Sequence, residues 1–274
     1  MPTPAEPKPT EINIAVNLPA LLGQLQVRLQ RLNDLVRIGL AGAAKVEEND
    51  YRESAPFASL QIASDKRMSL RKAREEFQTW CLKNSFTEAV DLVSAFLEEC
   101  RTIAALYRLN GRCSGADWNR AYLQDRKKFH EMGFPAKIQH LRKQFGIASK
   151  FEAHVLSLNR ARNCLVHRLG IVSAKDVDTT RRLIVTWHSL NLIVVDNATK
   201  HETVLSQPMV IESESTLAAR IGPHRREFAI GERILFDQDE HRHTALTFYV
   251  FALEIVQALE KLHPATSDDD SESN

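Results

Sequence analysis

The sequence predicts a mainly helical fold with a small antiparallel β insertion ahead of its last helix. Three observations predict it. Apolar residues recur at helical spacing, between capping signals, over most of the chain from Leu18 to Gly170. Between 181 and 236 the pattern shifts to short runs of Val, Ile, Leu and Trp broken by Gly, Pro, Asp and Asn. From Asp237 the helical period returns and continues to His263. The implied layout is a lead-in (1–17), an N-terminal helical extension with its linker (18–65), a helical core (66–180), the β insertion (181–236), a closing helix of the core (237–263) and an acidic tail (264–274).

The lead-in, MPTPAEPKPT, is Pro-rich and lacks the apolar segment of a signal peptide, so it is expected to be disordered. The first helix spans 18–46: Leu21, Leu22, Leu25, Leu29, Leu32, Leu35, Val36 and Leu40 share a helical period, and Pro19 suits a first turn. Residues 47–65 are polar and irregular. Helix resumes over 70–83, and Ser85 with Glu88 forms a capping box that opens a new one. Its stripe runs through Val90, Val93, Leu97, Cys100, Ala104 and Tyr107, and Gly111 stops it. Two shorter helices follow at 116–132 and 135–145, separated by Gly133. A helix of about six turns then spans 149–170, with Ser149 and Glu152 as its capping box and Gly170 at the left-handed end position. The insertion reads as short strands at 182–187, 190–195, 203–205, 209–211, 228–230 and 233–236, with Gly222-Pro223 and Gly231 as breaks. Asp237 and Glu240 cap the last helix, and the tail ending SDDDSESN has the composition of a disordered segment.

Composition narrows the function classes. No run approaches the length that spans a bilayer, so no membrane partner is expected and cytoplasmic residence is the default. Cys81, Cys100, Cys113 and Cys164 show no C-x-x-C pairing and read as reduced core residues. Trp80, Trp118 and Trp187 read as core or interface residues. Phosphate loops, G-x-S-x-G elbows and H-E-x-x-H pairs are absent from the sequence, which argues against nucleotide-hydrolase, serine-hydrolase and zincin chemistry. His241-Arg242-His243 scatters two imidazoles on a helix two residues apart, where they point apart, so no metal or other cofactor is expected. The net charge of +1 hides an asymmetry: residues 101–182 carry 17 Lys/Arg against 6 Asp/Glu, a local excess of +11. Such a surface suits a phosphate-rich partner, with a solvated, internally paired face as the competing reading.

The helix over 149–170 holds the most informative pattern. Val155, Leu158, Leu165, Val166 and Leu169 form its apolar stripe, and Arg162 lies in the middle of it. A guanidinium is tolerated there only if it is paired or if the surface opens into a cleft. Asn159, Asn163 and His167 follow at intervals of four as a polar ridge beside it.

Arg162-Asn163-Cys164-Leu165-Val166-His167 resembles the R-(polar)-x-x-x-H signature of the HEPN superfamily, helical domains that include metal-independent ribonucleases of toxin, antiviral and RNA-processing systems. The resemblance covers about 85–170 and the closing helix. It implies a HEPN-like bundle that pairs as a homodimer, its motif helices lining a shared cleft where RNA is cut to 2′,3′-cyclic phosphate ends. On that reading His167 serves as general base or acid, Arg162 stabilises the phosphorane-like transition state, and Asn163 orients the imidazole or donates to phosphate. Arg160, Arg168, Lys127, Lys128, Arg142 and Lys143 are candidates for the RNA backbone, with solvated faces as the competing reading. A toxin or phage-defence effector, held by an antitoxin or a neighbouring effector subunit, fits the resemblance. Where some branches carry Tyr two residues after the His, this chain has Leu169, which argues against that sub-branch and its particular chemistry. The alternative is a non-catalytic HEPN-type module that binds nucleic acid or a partner protein.

Overall fold

The computed structural model describes residues 16–52, 68–109, 116, 119–205, 210 and 214–262. The expectations for the lead-in, Trp118, Cys113, Gly111, most of the strand at 209–211 and the acidic tail lie outside the described residues. Seven helices and three strands are described: α1 (Leu18–Lys45), α2 (Glu48–Arg52), α3 (Leu70–Leu109), α4 (Asp125–His130), α5 (Phe134–Phe145), α6 (Glu152–His167), β1 (Arg182–Asp196), β2 (Glu202–Val204), β3 (Ser215–Ala229) and α7 (Gln238–Glu260). A π-helical turn, Arg120–Gln124, leads into α4. No helix among the described residues is long and apolar enough to cross a membrane.

The fold is mainly helical with one small antiparallel sheet. α1 starts where expected: Asn17 Oδ1 accepts the Ala20 amide at 2.8 Å, and Pro19 occupies the first turn. It packs on α3 and α7, and its Leu18, Leu25, Leu29 and Leu32 enter the same core as the rest of the bundle. At the start of α7 the Asp237–Glu240 capping box is complete.

α3 differs from expectation. It is one continuous helix of 40 residues, not two. Ser85 is buried mid-helix without capping anything, and the Thr87 hydroxyl donates back to the Lys83 carbonyl at 2.9 Å. The reason is physical: an N-cap needs a residue that leaves helical φ/ψ, and nothing between Lys83 and Phe86 forces the chain to do so.

The sheet has the order β2-β1-β3. The strands expected at 182–187 and 190–195 are one strand, and β3 pairs with its whole length through Gly222 and Pro223, from Arg182 opposite Ala229 to Asp196 opposite Ser215. Pro223 is tolerated because β3 is an edge strand and because of the position it takes. It stands opposite His188, whose amide points the other way, to Thr247 Oγ1 at 2.8 Å. Two residues earlier, the Thr186 amide donates to Ser157 Oγ at 2.9 Å. Hydroxyls of α6 and α7 thus complete the edge of β1 that β2 leaves uncovered. Residues 233–236 form no strand; Arg233 makes an isolated bridge with Ile171.

On the inner face of the sheet Leu183, Val185 and Trp187 are buried. Phe236 joins them to the bundle, stacked on Phe86 at 4.8 Å and edge-on to Trp187 at 6.0 Å. Trp80, by contrast, is exposed on α3.

Candidate functional site

α6 carries the motif, and it is shorter than the sequence pattern implies. It begins at Glu152, because Ser149 is drawn elsewhere: its hydroxyl donates to Glu254 Oε2 of α7 at 2.7 Å. Half of the expected capping box survives, with Glu152 Oε1 accepting the Ser149 amide at 3.3 Å. At the other end the chain leaves the helix after His167 and turns through two left-handed residues, Leu169 (φ 53) and Gly170 (φ 79). The Gly170 amide returns to the Cys164 carbonyl at 3.1 Å. This early exit alters the stripe. Val155, Leu158 and Leu165 are buried as expected, whereas Val166 is partly exposed and Leu169, off the helix, is 73% exposed. The polar ridge is also graded: Asn159 is buried, Asn163 half-buried and His167 exposed.

Arg162 is half-buried, and it is paired. Its Nη2 donates to Asp91 Oδ1 of α3 at 2.9 Å, while Nη1 makes a long contact, 3.5 Å, with Asn163 Oδ1. Its Nε is buried and finds no partner. Asp91 was not singled out by sequence reasoning, because the partner of a helical residue 71 positions away leaves no local pattern. Arg162 and His167 are five residues apart on a continuous helix, hence about 140° apart around its axis. A phosphate touching both needs a further surface.

A concavity of about 350 Å3 lies beside the C-terminal end of α6 and is lined by Leu82, Leu165, Leu169, Ile234 and Leu235 among others. Arg162, Asn163 and His167 are not in its lining.

The basic candidates divide. Arg168 is committed: its guanidinium binds Asp176 through Nε, at 2.7 Å, and Nη2. Burial alone would raise the Asp176 carboxyl, but hydrogen bonds from Arg168 and Ser173, with the guanidinium charge, outweigh it and hold the carboxyl below its ordinary range. Arg142 pairs with Glu152 at 3.3 Å. Arg126, Lys137 and Lys150 are likewise paired, with Glu99, Glu98 and Glu254. Glu152 and Asp176 belong to the same segment, so of the +11 excess of 101–182 it is Arg126, Lys137, Lys150 and Arg162 that are balanced by acids from outside it. Lys127, Lys128, Lys143 and Arg160 remain exposed at the surface. Lys127 and Lys128 follow Arg126, whose partner Glu99 lies two turns of α3, about 12 Å, from Asp91.

Among the described residues no group of three His, Cys, Asp or Glu is arranged to hold a metal. His241 is buried while His243 is half-buried, on different faces of α7. No protein-family model, curated protein or solved structure matches the chain.

Proposed function

We propose that the chain is a metal-independent endoribonuclease of HEPN type that acts on RNA as a homodimer through its motif helix. The observation that carries this reading is the setting of Arg162. A guanidinium half-buried in an apolar stripe is held by one solvent-facing carboxylate, Asp91, with Asn163 at its side and exposed His167 on the same helix. An acidic oxygen is what a phosphate would replace.

In the proposed reaction His167 takes the 2′-OH proton and the freed oxygen attacks the adjacent phosphorus. The bond to the 5′-oxygen breaks, that oxygen takes a proton from the imidazolium of the partner subunit's His167, and a 2′,3′-cyclic phosphate remains. Arg162, released from Asp91, offers its planar fork to the phosphate oxygens as charge accumulates. The exposed apolar pair Val166 and Leu169 beside His167 supports a second chain covering this end of α6. A toxin or phage-defence role, restrained by an antitoxin or effector partner, suits such an activity.

The test compares wild type with His167→Ala on tRNA and single-stranded RNA in excess EDTA, with the new ends identified chemically. Cleavage by wild type alone, giving cyclic-phosphate ends, is expected. Equal cleavage by His167→Ala overturns the site.

One set of observations favours a second reading, a non-catalytic module that binds nucleic acid or a partner protein. Arg126, Lys137, Lys150 and Arg168 are already paired with acids of the same chain, and the motif side chains line no part of the concavity beside α6. Salt-dependent RNA binding without turnover selects it.

A further inference from the structure

α1 buries one face and leaves the opposite one in water. Leu18, Leu25, Leu29, Leu32 and Val36 enter the core. At about 100° per residue, the far side carries Gly23, Val27, Arg31, Asp34, Ile38 and Gly42 in a stripe about 100° wide. Val27 is 69% and Ile38 70% exposed. A Cβ added at Gly23 or Gly42 would meet nothing within 4 Å. Glycine costs a helix stability relative to alanine, so the chain's own packing gives no reason for either of them. Arg31 and Asp34 have no ion-pair partner among the described residues; Asp34 accepts the Gln30 side-chain amide at 2.9 Å.

The six positions form a palindrome of complementary chemistry. Arg31 and Asp34 are equidistant from the midpoint between Leu32 and Asn33, as are Val27 and Ile38, and Gly23 and Gly42. Charge thus mirrors opposite charge, β-branched aliphatic mirrors β-branched aliphatic, and glycine mirrors glycine.

We propose that α1 is a dimerisation helix, packed antiparallel on α1 of a second copy about a two-fold axis level with that midpoint. Such an axis brings equidistant positions to one level. Arg31 then lies beside the partner subunit's Asp34, and Asp34 beside the partner subunit's Arg31, so both charges that lack an ion-pair partner within the chain gain one. Val27 meets the partner subunit's Ile38, and the glycines toward the ends let the two backbones approach. A hollow already lies along this face, lined by Gly23, Val27, Gln30 and Arg31 among others. The partner subunit's Ile38, level with Val27, enters it as a knob enters a hole. A different protein would have to carry the matching reverse order in its own sequence, whereas a second copy supplies it by symmetry. That selects the occupant.

The axis falls near the middle of α1, so the two helices overlap over 20–45, about 39 Å at 1.5 Å per residue. With Gln30 and Leu35 at its margins the contact strip is about 140° wide, which on a helix of about 7 Å accessible radius buries roughly 600 Å2 per copy. About 1,200 Å2 in all is the lower bound of specific interfaces, and a micromolar dimer is expected. The contact is separate from the pairing proposed for the motif. Gly39 sets α1 against Phe77 and Cys81 of α3, whereas the concavity beside the end of α6 is lined by Thr79 and Leu82, on the other side of α3.

Sedimentation velocity on the full chain, over about 1 to 200 µM, tests this. The wild type should associate in a step that Arg31→Asp and Asp34→Arg each weaken at least about tenfold, because two-fold symmetry turns both ion pairs into like-charge contacts at once. Ile38→Arg should weaken the same step. All three positions are exposed, and circular dichroism confirms that the variants fold. Recovery separates a specific pairing from a general loss of association. Arg31→Asp combined with Asp34→Arg in one chain restores both pairs, as does an equimolar mixture of the two single variants, so each should associate within about threefold of wild type. Val166→Arg, on the motif helix, should leave the step unchanged. Three results would each overturn the proposal: a wild type that does not associate, an association lost with Val166→Arg but indifferent to the α1 variants, or single variants that weaken without recovery in the double variant. The second of these would leave the motif pairing standing.

Discussion

His241 should make the protein acid-sensitive well above the range in which carboxylates titrate. It is on the first turn of α7 and 2% exposed, and burial pushes its pKa down to about 4 from 6.5. Asn33 Oδ1 of α1 faces its Nδ1 at 3.1 Å, which places the proton of the neutral ring there and leaves Nε2 buried without a partner. A second proton would have to go to that Nε2, and nothing is there to receive it. The folded pKa is depressed, so the unfolded chain takes up the proton first. Stability is intact above about pH 6.5 and declines as pH falls, with a slope approaching 1.4 kcal/mol per pH unit for one proton. Two and a half pH units give about 3 kcal/mol in all, of which about 2 are lost by pH 5. The window from pH 7.5 to 5 is informative because Glu98, Asp176 and Glu254, whose pKa values are lowered, begin to lose their contributions only below about pH 4.5. His154, His188, His140 and His243 are also lowered, so the wild-type slope should exceed one proton. The assay is urea unfolding across this window for wild type and His241→Gln, whose amide can still donate to Asn33. The difference in stability between the two should shrink or change sign by about 2 kcal/mol on going to pH 5. Parallel curves would refute the reasoning.

Three further outcomes are expected. Thr247→Val keeps the shape of a fully buried side chain but leaves the His188 amide without an acceptor, so it should cost about 1–3 kcal/mol in chemical denaturation, and Thr247→Ser should restore most of it. Glu98→Ala strands the Lys137 ammonium, whose side chain is 4% exposed and donates to Glu98 at 2.6 Å and to Ser94 at 2.9 Å. A loss of about 3–5 kcal/mol is expected, and adding Lys137→Met should recover much of it; no recovery would show that the charge is not the cause. Arg162→Ala should cost only about 1 kcal/mol or less, since Asp91 is 56% exposed and the pair is solvent-screened, while abolishing RNA cleavage. A large fall in thermal midpoint with activity retained would make Arg162 a structural residue.

Where the sequence pattern is read correctly, the determinant is local. Pro19 in the first turn of α1 and the Asp237–Glu240 box of α7 each act within one turn. Where it misleads, a tertiary partner or a longer continuous element intervenes. Ser149 reads as a cap, yet Glu254, 105 residues away, takes its hydroxyl. Ser85 reads as a cap, yet its helix has no reason to stop. The apolar alternation of 182–187 is interrupted at His188 and Ser189 and gives way to the unbroken run Leu192–Val195, and such an interruption within one strand looks the same as two strands with a break between them. Pro223 strengthens the impression of a break, because its place on a solvent-facing edge becomes visible only once Thr247 is seen holding the opposite strand.

Arg162 shows what periodicity can and cannot convey about function. Seven-residue neighbours on both sides of a guanidinium mark it as a charge in an apolar stripe, and the physics then demands a counter-charge or a cleft. The counter-charge is Asp91, on a helix the pattern could not connect to α6. That pairing relieves the demand without supplying a substrate site, because Asp91 is largely exposed and the ion pair adds little to stability. Val166 and Leu169 carry the remaining demand. Both belong to the apolar stripe by spacing, and both are exposed, Val166 in the last turn of α6 and Leu169 beyond its early end. A stripe that is half covered by its own chain, with its charge weakly held and an imidazole at its open end, is the surface on which a second motif helix would complete both the packing and the chemistry.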